Sequence, residues 1–275
     1  MTDDKPVRKT GRPTGDSGLF NSSLEKGLSV LQAFNDGRPS LTLTQVAAVT
    51  GLEKSAAQRF TATLVALGYL QKDQTTRQYS LTSRVLQLSA NYLRCHVLLE
   101  RATPYMLEWN SRIGEAVNLA EMDGADVIFL VRYRSRNVVG PALVAGSKFP
   151  WYISALGQAM VAYKPAGERN RILAATNPVS YASQTLTTRE ALEKRLETIR
   201  TDRFALTHRE SFETEISLAA PIFGPSGDVV AAVGTAVVTP QWTVDDARAR
   251  LAPALLDLAQ AISSPSQISR PDLNV

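Results

Sequence analysis

Apolar residues recur at helical spacing in three short blocks near the start of the chain. Leu24, Leu28 and Leu31, with Val30 and Phe34, predict an amphipathic first helix. In the second block, Thr42 followed by Gln45 fits a capping box, in which each side chain satisfies a free backbone amide at a helix start. The short helix through Val46 and Ala47 then meets Thr50-Gly51, where glycine permits a sharp turn. A third helix opens near Lys54-Ser55 and runs to Leu67, with Gly68 placed to stop it. Its Ala57, Phe60, Leu64 and Leu67 share one face. Lys54, Ser55, Gln58, Arg59 and Ala62 lie on the other, which carries cations, an amide and small residues but no acid. Tyr69-Leu70 and residues 79–81 flank a polar turn, Lys72 to Gln78, which reads as a hairpin.

Beyond this block the pattern continues as one helix from Ser83 to about His96, carried by Val85, Leu86, Leu88, Ala90 and Leu93. It then changes to mixed helix and strand. A helix is expected over 102–113, and strands over 117–122 and 127–133 joined at the turn dipeptide Asp123-Gly124. A looser segment leads to Pro150 and a helix over about 154–163. Thr187 to Glu190 reads as a second capping box, starting a helix marked by Leu192, Leu196 and Ile199. Strands follow over 204–207, 216–223 and 229–238, and a closing helix over 244–262. Helices beside hairpin-paired strands predict an α+β fold with an antiparallel sheet.

The expected division is a disordered basic arm (1–20), a three-helix-and-hairpin unit (21–83), a linker helix (84–97), a second domain (98–263) and a loose tail (264–275). The 275 residues suffice for two domains that each bury a core. No stretch approaches the roughly 20 apolar residues that span a bilayer, and the polar start lacks the apolar core of a secretory signal. The single cysteine, Cys95, excludes an internal disulfide and agrees with a reducing, cytoplasmic setting. Beside His96 and without a second ligand at metal spacing, it reads as a buried small thiol. A net charge of +4 permits nucleic-acid binding without requiring it. The arm, with Lys5, Arg8, Lys9 and Arg12, fits either a strand-following DNA contact or a solvated tail.

Catalytic patterns are missing. With His96 and His208 as the only histidines, there is no GxSxG elbow, GxGxxG, Walker loop, HExxH or CxxC, so no catalytic, metal or cofactor site is expected. The polar face of the third helix matches what a major-groove reader needs, since Arg and Lys suit guanine and Gln suits adenine. Three helices and a hairpin describe a winged helix-turn-helix, with Lys72 and Arg77 of the wing placed for phosphates. The helix pair alone fits ordinary packed helices equally well. Two other functions stay open on the residues: a small-molecule enzyme with a helical accessory domain, and a winged-helix protein–protein adaptor.

The segments SLEKGLSVLQAF (23–34), LTLTQVAAVTGLEKSAAQRFTATLVALGYL (41–70) and YSLTSRVLQL (79–88) resemble the amino-terminal domain of the IclR family of bacterial transcription regulators. GSKFPWYISALGQAMVAY (146–163), Thr188 to Leu192, and ISLAAPIFGPSGDVVAAVGTAVV (216–238) resemble its effector-binding domain, so the likeness spans about 23–263. The resemblance implies a DNA-binding regulator with a GAF-like effector domain, acting as a homodimer or dimer of dimers on a double-stranded operator. DNA contacts would fall on Thr44, Lys54, Ser55, Ala56, Gln58, Arg59, Lys72 and Arg77. The effector, expected to be a small organic acid with an aromatic one as the leading case, would meet Phe149, Trp151, Ala155, Leu156, Thr207, Glu215 and Ser217. Backbone amides opening the helix at Ser154 would favour its carboxylate. The 207–215 segment departs from the family, with Thr214 where a glycine is expected and His208-Arg209 where acids are common. The departure offers Arg209 as a cation for an anionic ligand. Arg132, Arg134 and Arg136, alternating on one strand, form a second cationic candidate or a solvated edge.

Overall fold

The computed structural model describes residues 19–136 and 143–263. The expected basic arm before Leu19, the tail from Ser264 and part of the loose segment before Pro150 lie outside these residues. The chain divides into two compact units, Met1–Tyr92 and Leu93–Val275.

The first unit contains α1 (Ser22–Gln32), β1 (Ser40–Leu41), α2 (Leu43–Thr50), α3 (Lys54–Ala66), β2 (Leu70–Lys72) and β3 (Tyr79–Leu81). Its small antiparallel sheet runs β1-β3-β2. The capping box forms as the sequence predicts: the Gln45 amide donates to Thr42 Oγ1 at 3.4 Å, and the Thr42 amide donates to Gln45 Oε1 at 2.9 Å. Gly51 ends α2 at φ 69°, a left-handed conformation that costs glycine no Cβ clash. Val30, Phe34, Leu41, Val46, Ala57, Leu64, Leu70 and Tyr79 form the core.

Two details of the packing differ from the sequence reading. Leu24 and Leu28 are 63% and 50% exposed, while Val30 on α1 and Phe34 just beyond it are buried and Leu31 packs against the core. On α3 the inward stripe is Ala57, Thr61 and Leu64, while Leu67 caps the helix and is exposed. Thr61 tolerates complete burial because its hydroxyl donates to the Ala57 carbonyl at 2.9 Å.

α4 (Val85–Arg94) carries the chain past the boundary into α5 (Val97–Ile113), where the sequence reading places a start near Ala102. The second unit continues with β4 (Val117–Asp123), β5 (Asp126–Tyr133), β6 (Lys148–Pro150), a 3-10 turn (Trp151–Ile153), α6 (Ala155–Tyr163), α7 (Ala166–Ala175), α8 (Arg189–Asp202), β7 (Ala205–His208), β8 (Glu215–Phe223), β9 (Val229–Val238) and α9 (Val244–Ile262). Its six strands form one antiparallel sheet in the order β6-β5-β4-β9-β8-β7. Strand alternation sends Leu119, Leu218, Ile222, Val233 and Val237 to one face, where Met106 and Trp109 of α5 and Leu251, Leu255 and Leu258 of α9 cover them. Ala120, Ala219 and Ala232 point the opposite way, under α6 and α8.

Small residues set how closely α6 approaches the sheet. A Cβ on Gly157 would fall 2.5 Å from the Trp151 carbonyl oxygen and 2.7 Å from Val127 Cγ2. One on Gly234 would meet the Leu218 carbonyl at 2.7 Å and Leu156 Cδ2 at 3.0 Å. This close seating brings the amino end of α6 down onto the open end of the sheet.

Other expectations shift here. α8 is capped by Thr188, not Thr187, since Thr188 Oγ1 accepts from the Ala191 amide; Glu190 therefore misses the capping-box position. The arginine row does not share a strand face: β5 ends at Tyr133, so Arg134 and Arg136 lie beyond it. Cys95 is exposed, not buried.

Candidate DNA-binding surface and ligand cleft

The face of α3 opposite its core stripe is open. Lys54, Ser55, Gln58, Arg59 and Ala62 are exposed, Ala56 is half-buried at the rim, and Thr44 is exposed in the first turn of α2. The sequence reading passes over Glu53, an exposed acid at the N-cap that makes no side-chain capping bond. The wing tip is a tight turn: Asp73 Oδ1 accepts from the Thr75 and Thr76 amides at 2.8 and 2.7 Å. These amides, with Thr76 foremost, hold the Asp73 carboxyl below its ordinary 3.8. Arg77 sits exposed in the left-handed region at φ 59°, and the half-buried Lys72 holds its Nζ 5.3 Å from the centre of the Tyr79 ring.

The second unit contains a narrow cleft, with about 40 Å³ of enclosed space, between the sheet, the amino end of α6 and the 209–214 loop. Four of the residues carried over from the family likeness line it: Phe149, Ala155, Glu215 and Ser217. Ser154, Ile153 and Leu143 continue the wall, and Asn118, Phe129, Arg132, Ser211, Phe212 and Ala236 complete it. The rings form an edge-to-face series, Phe129 to Phe149 at 5.8 Å and Phe149 to Phe212 at 6.2 Å.

Trp151, Leu156, Thr207 and Arg209 do not line this cleft. Trp151 is fully buried on the far side of the 3-10 turn, where its Nε1 donates to Thr176 Oγ1 at 2.8 Å. Leu156 packs down onto Gly234, and Thr207 is buried in β7, two strands from the centre of the sheet. Arg209 is exposed at φ 54°, where its carbonyl accepts from the Gln184 amide at 2.9 Å. Arg132 is the cation that reaches the space. Its half-buried guanidinium donates to Asn118 Oδ1 at 3.2 Å, and burial lowers its pKa below the ordinary guanidinium value against the opposing pull of Glu215. Arg132 is one of the cationic candidates the sequence offers; Asn118 and Phe129, from β4 and β5, join it through a juxtaposition that no local pattern announces.

The loop over the cleft is anchored from below. Glu210 is 2% exposed; Arg195 of α8 donates to its Oε1 and Gln158 of α6 to its Oε2, both at 2.8 Å. Burial nevertheless raises the Glu210 carboxyl above 4.5. Thr185 Oγ1 donates to the Glu210 carbonyl at 2.7 Å, and Ser183 donates through its amide and hydroxyl to Glu213 at 2.7 and 2.8 Å. Phe212 and Ser211 are thereby presented to the cleft by a braced loop, with Thr214 in place of the expected glycine.

Among the described residues no group of three His, Cys, Asp or Glu side chains is placed to hold a metal. His96 Nδ1 accepts from the Leu99 amide and its Nε2 lies 2.9 Å from Glu121, so it caps α5. No helix of the described residues is long and apolar enough to cross a membrane.

A winged helix-turn-helix followed by a helix-and-sheet unit defines a DNA-binding transcriptional regulator as the class of protein. The family comparisons agree with both halves: residues 23–74 match the IclR helix-turn-helix domain, and residues 90–264 match the bacterial transcriptional regulator IclR C-terminal domain. The chain belongs to the IclR family of bacterial transcriptional regulators. It is 29% identical over 252 residues to the Pca regulon regulatory protein of Pseudomonas putida, covering 91% of this chain and 86% of the relative. Its fold is that of an IclR family transcriptional regulator from Brucella abortus, with TM-score 0.80, 24% identity and coverage of 92% and 95% of the two chains. It also matches an IclR homologue from Microbacterium hydrocarbonoxydans complexed with 4-hydroxybenzoate, with TM-score 0.72, 22% identity and coverage of 88% and 97%. The named relatives are regulators, not enzymes.

Proposed function

We propose that the chain is a cytoplasmic homo-oligomer that binds a double-stranded operator and whose affinity for it is set by a small organic acid. The open polar face of α3 carries the DNA half of this reading: Lys54, Ser55, Gln58 and Arg59 are exposed together beside a packed apolar face. Laid in a major groove, with Ala56 permitting close approach, that face reads base edges while Thr44, Lys72 and Arg77 hold phosphates. Two-fold pairing sets two such helices on half-sites about 34–36 Å apart. The working division is a DNA-binding unit over 21–83, a linker helix over 84–97 and an effector domain over 98–263.

The effector occupies the cleft between the sheet and α6. Three phenylalanine rings suit an aromatic or otherwise apolar body. Arg132, with no ion pair among the described residues, suits a carboxylate, as do the amides opening α6. The 4-hydroxybenzoate held by the Microbacterium homologue, which shares the fold, supports an aromatic acid. Binding shifts the balance between subunit arrangements that fit and misfit the operator, which requires different effector affinity in the two. The test is a thermal-shift screen of aromatic and aliphatic acids on the full chain, followed by anisotropy on a duplex enriched from a random pool. An acid that raises the melting temperature and changes duplex affinity supports the reading. Acids that do neither, across the panel, contradict it.

A further inference from the structure

The amino end of α3 carries one group that the cationic reading face does not explain. Glu53 is exposed at the N-cap, immediately before Lys54 and Ser55. Its backbone, at φ −59° and ψ 141°, stands outside the helical range. Its carbonyl accepts from the Ala57 amide at 2.9 Å, which fixes the residue to the first turn. The side chain has no comparable tie. It makes no capping bond, and among the described residues it enters no hydrogen bond or ion pair, the neighbouring Lys54 included.

Against a duplex such a carboxylate is unfavourable nearly everywhere. Beside a phosphate it meets like charge and subtracts from the attraction that Lys54, Arg59, Lys72 and Arg77 supply. Against a base edge it loses hydration and, having acceptors but no donor, recovers it only from a donor on the base. The major groove offers two such donors, the N4 amino group of cytosine and the N6 amino group of adenine. Guanine O6 and thymine O4 are acceptors, so Glu53 facing either one sets acceptor against acceptor. The other polar groups of the face cannot make this distinction: Lys54 and Arg59 only donate, while Ser55 and Gln58 both donate and accept. The amino end of a recognition helix is where base edges are met, so the residue stands where the distinction counts.

We propose that Glu53 is a specificity-determining residue that selects, at one position of the operator half-site, a base with an amino group and excludes guanine and thymine there. This rests on the reading of α3 as the helix that lies against base pairs. Selection works chiefly by rejection, since a keto oxygen at that point leaves the carboxylate both desolvated and opposed. Glu53→Gln is the diagnostic change: it keeps the length of the side chain and adds a donor that a keto oxygen accepts from.

The experiment is enrichment of duplexes from a random pool by the full chain as wild type and as Glu53→Gln. Anisotropy then follows on four duplexes that differ only at the position whose base frequencies change. Wild type is expected to hold the two amino-base duplexes roughly tenfold or more tighter than the two keto-base ones, and Glu53→Gln to bring all four within about threefold. Glu53→Ala supplies the same comparison if Glu53→Gln does not fold. Base frequencies that match in wild type and variant, with or without a uniform gain in affinity, overturn the assignment and leave α3 as the base reader. A changed position at which wild type takes guanine or thymine overturns it as well. A wild-type chain that enriches no sequence overturns the reading of α3 and this inference with it.

Discussion

Arg195 and Glu210 meet at 2.8 Å under the loop that presents Phe212 to the cleft, with the Glu210 side chain only 2% exposed and Arg195 25% exposed. The pair ties α8 to the loop, and Gln158 adds α6 to the same carboxylate. Removing the acid strands a partly buried guanidinium, a change that costs about 3–5 kcal/mol when both groups are fully buried. Because Arg195 keeps some solvent, Glu210→Ala is expected to lower unfolding free energy by about 2–4 kcal/mol, and to loosen ligand binding through loss of the loop. Denaturant unfolding and ligand titration of that variant measure the two effects.

The same carboxyl gives a pH dependence of definite sign. Burial, larger than the pull of Arg195, places its folded pKa above the ordinary 4.5. The folded chain therefore holds this proton to a higher pH than the unfolded chain does. The resulting stability is fully present below 4.5 and is lost as pH rises through the raised folded value. The difference in unfolding free energy between wild type and Glu210→Gln should accordingly shrink as pH is raised from about 4 toward neutrality. A difference that grows over this range assigns the opposite shift.

Gly157 tests the seating of α6. A methyl group there would lie 2.5 Å from a backbone oxygen, which no side-chain rotation relieves. Gly157→Ala is expected to destabilise by about 1–3 kcal/mol despite alanine's better helix propensity. Gly167→Ala, where nothing lies within 4 Å of the added Cβ, should be neutral or slightly stabilising in the same denaturation assay.

The amino-terminal fold was legible because local rules decide it: the Thr42–Gln45 box and Gly51 fix α2 and its turn without help from distant residues. Periodicity found α3 and α9 for the same reason. The stripe on α1 held in part: Val30 and Phe34 are buried and Leu31 packs against the core, but Leu24 and Leu28 face outward. α7 was missed because its single buried leucine, Leu173, gives no stripe to read. In the cleft, Phe149, Ala155, Glu215 and Ser217 were reached through segment likeness. Asn118 and Phe129 depend on which strands adjoin, and Phe212 on how a loop of unfamiliar sequence is braced from below. Trp151 failed as a lining residue because one residue's rotation through the 3-10 turn sends its ring into the core.

The most direct test of the regulator reading is fluorescence anisotropy of the full chain on a duplex enriched from a random pool and on a scrambled duplex, for wild type and Arg59→Ala. If Arg59 reads a base edge, the variant loses about 1–3 kcal/mol on the enriched duplex and much less on the scrambled one. Equal losses on the two duplexes assign Arg59 to phosphate. A wild-type chain that enriches no sequence and holds both duplexes alike contradicts the placement of α3 against base pairs.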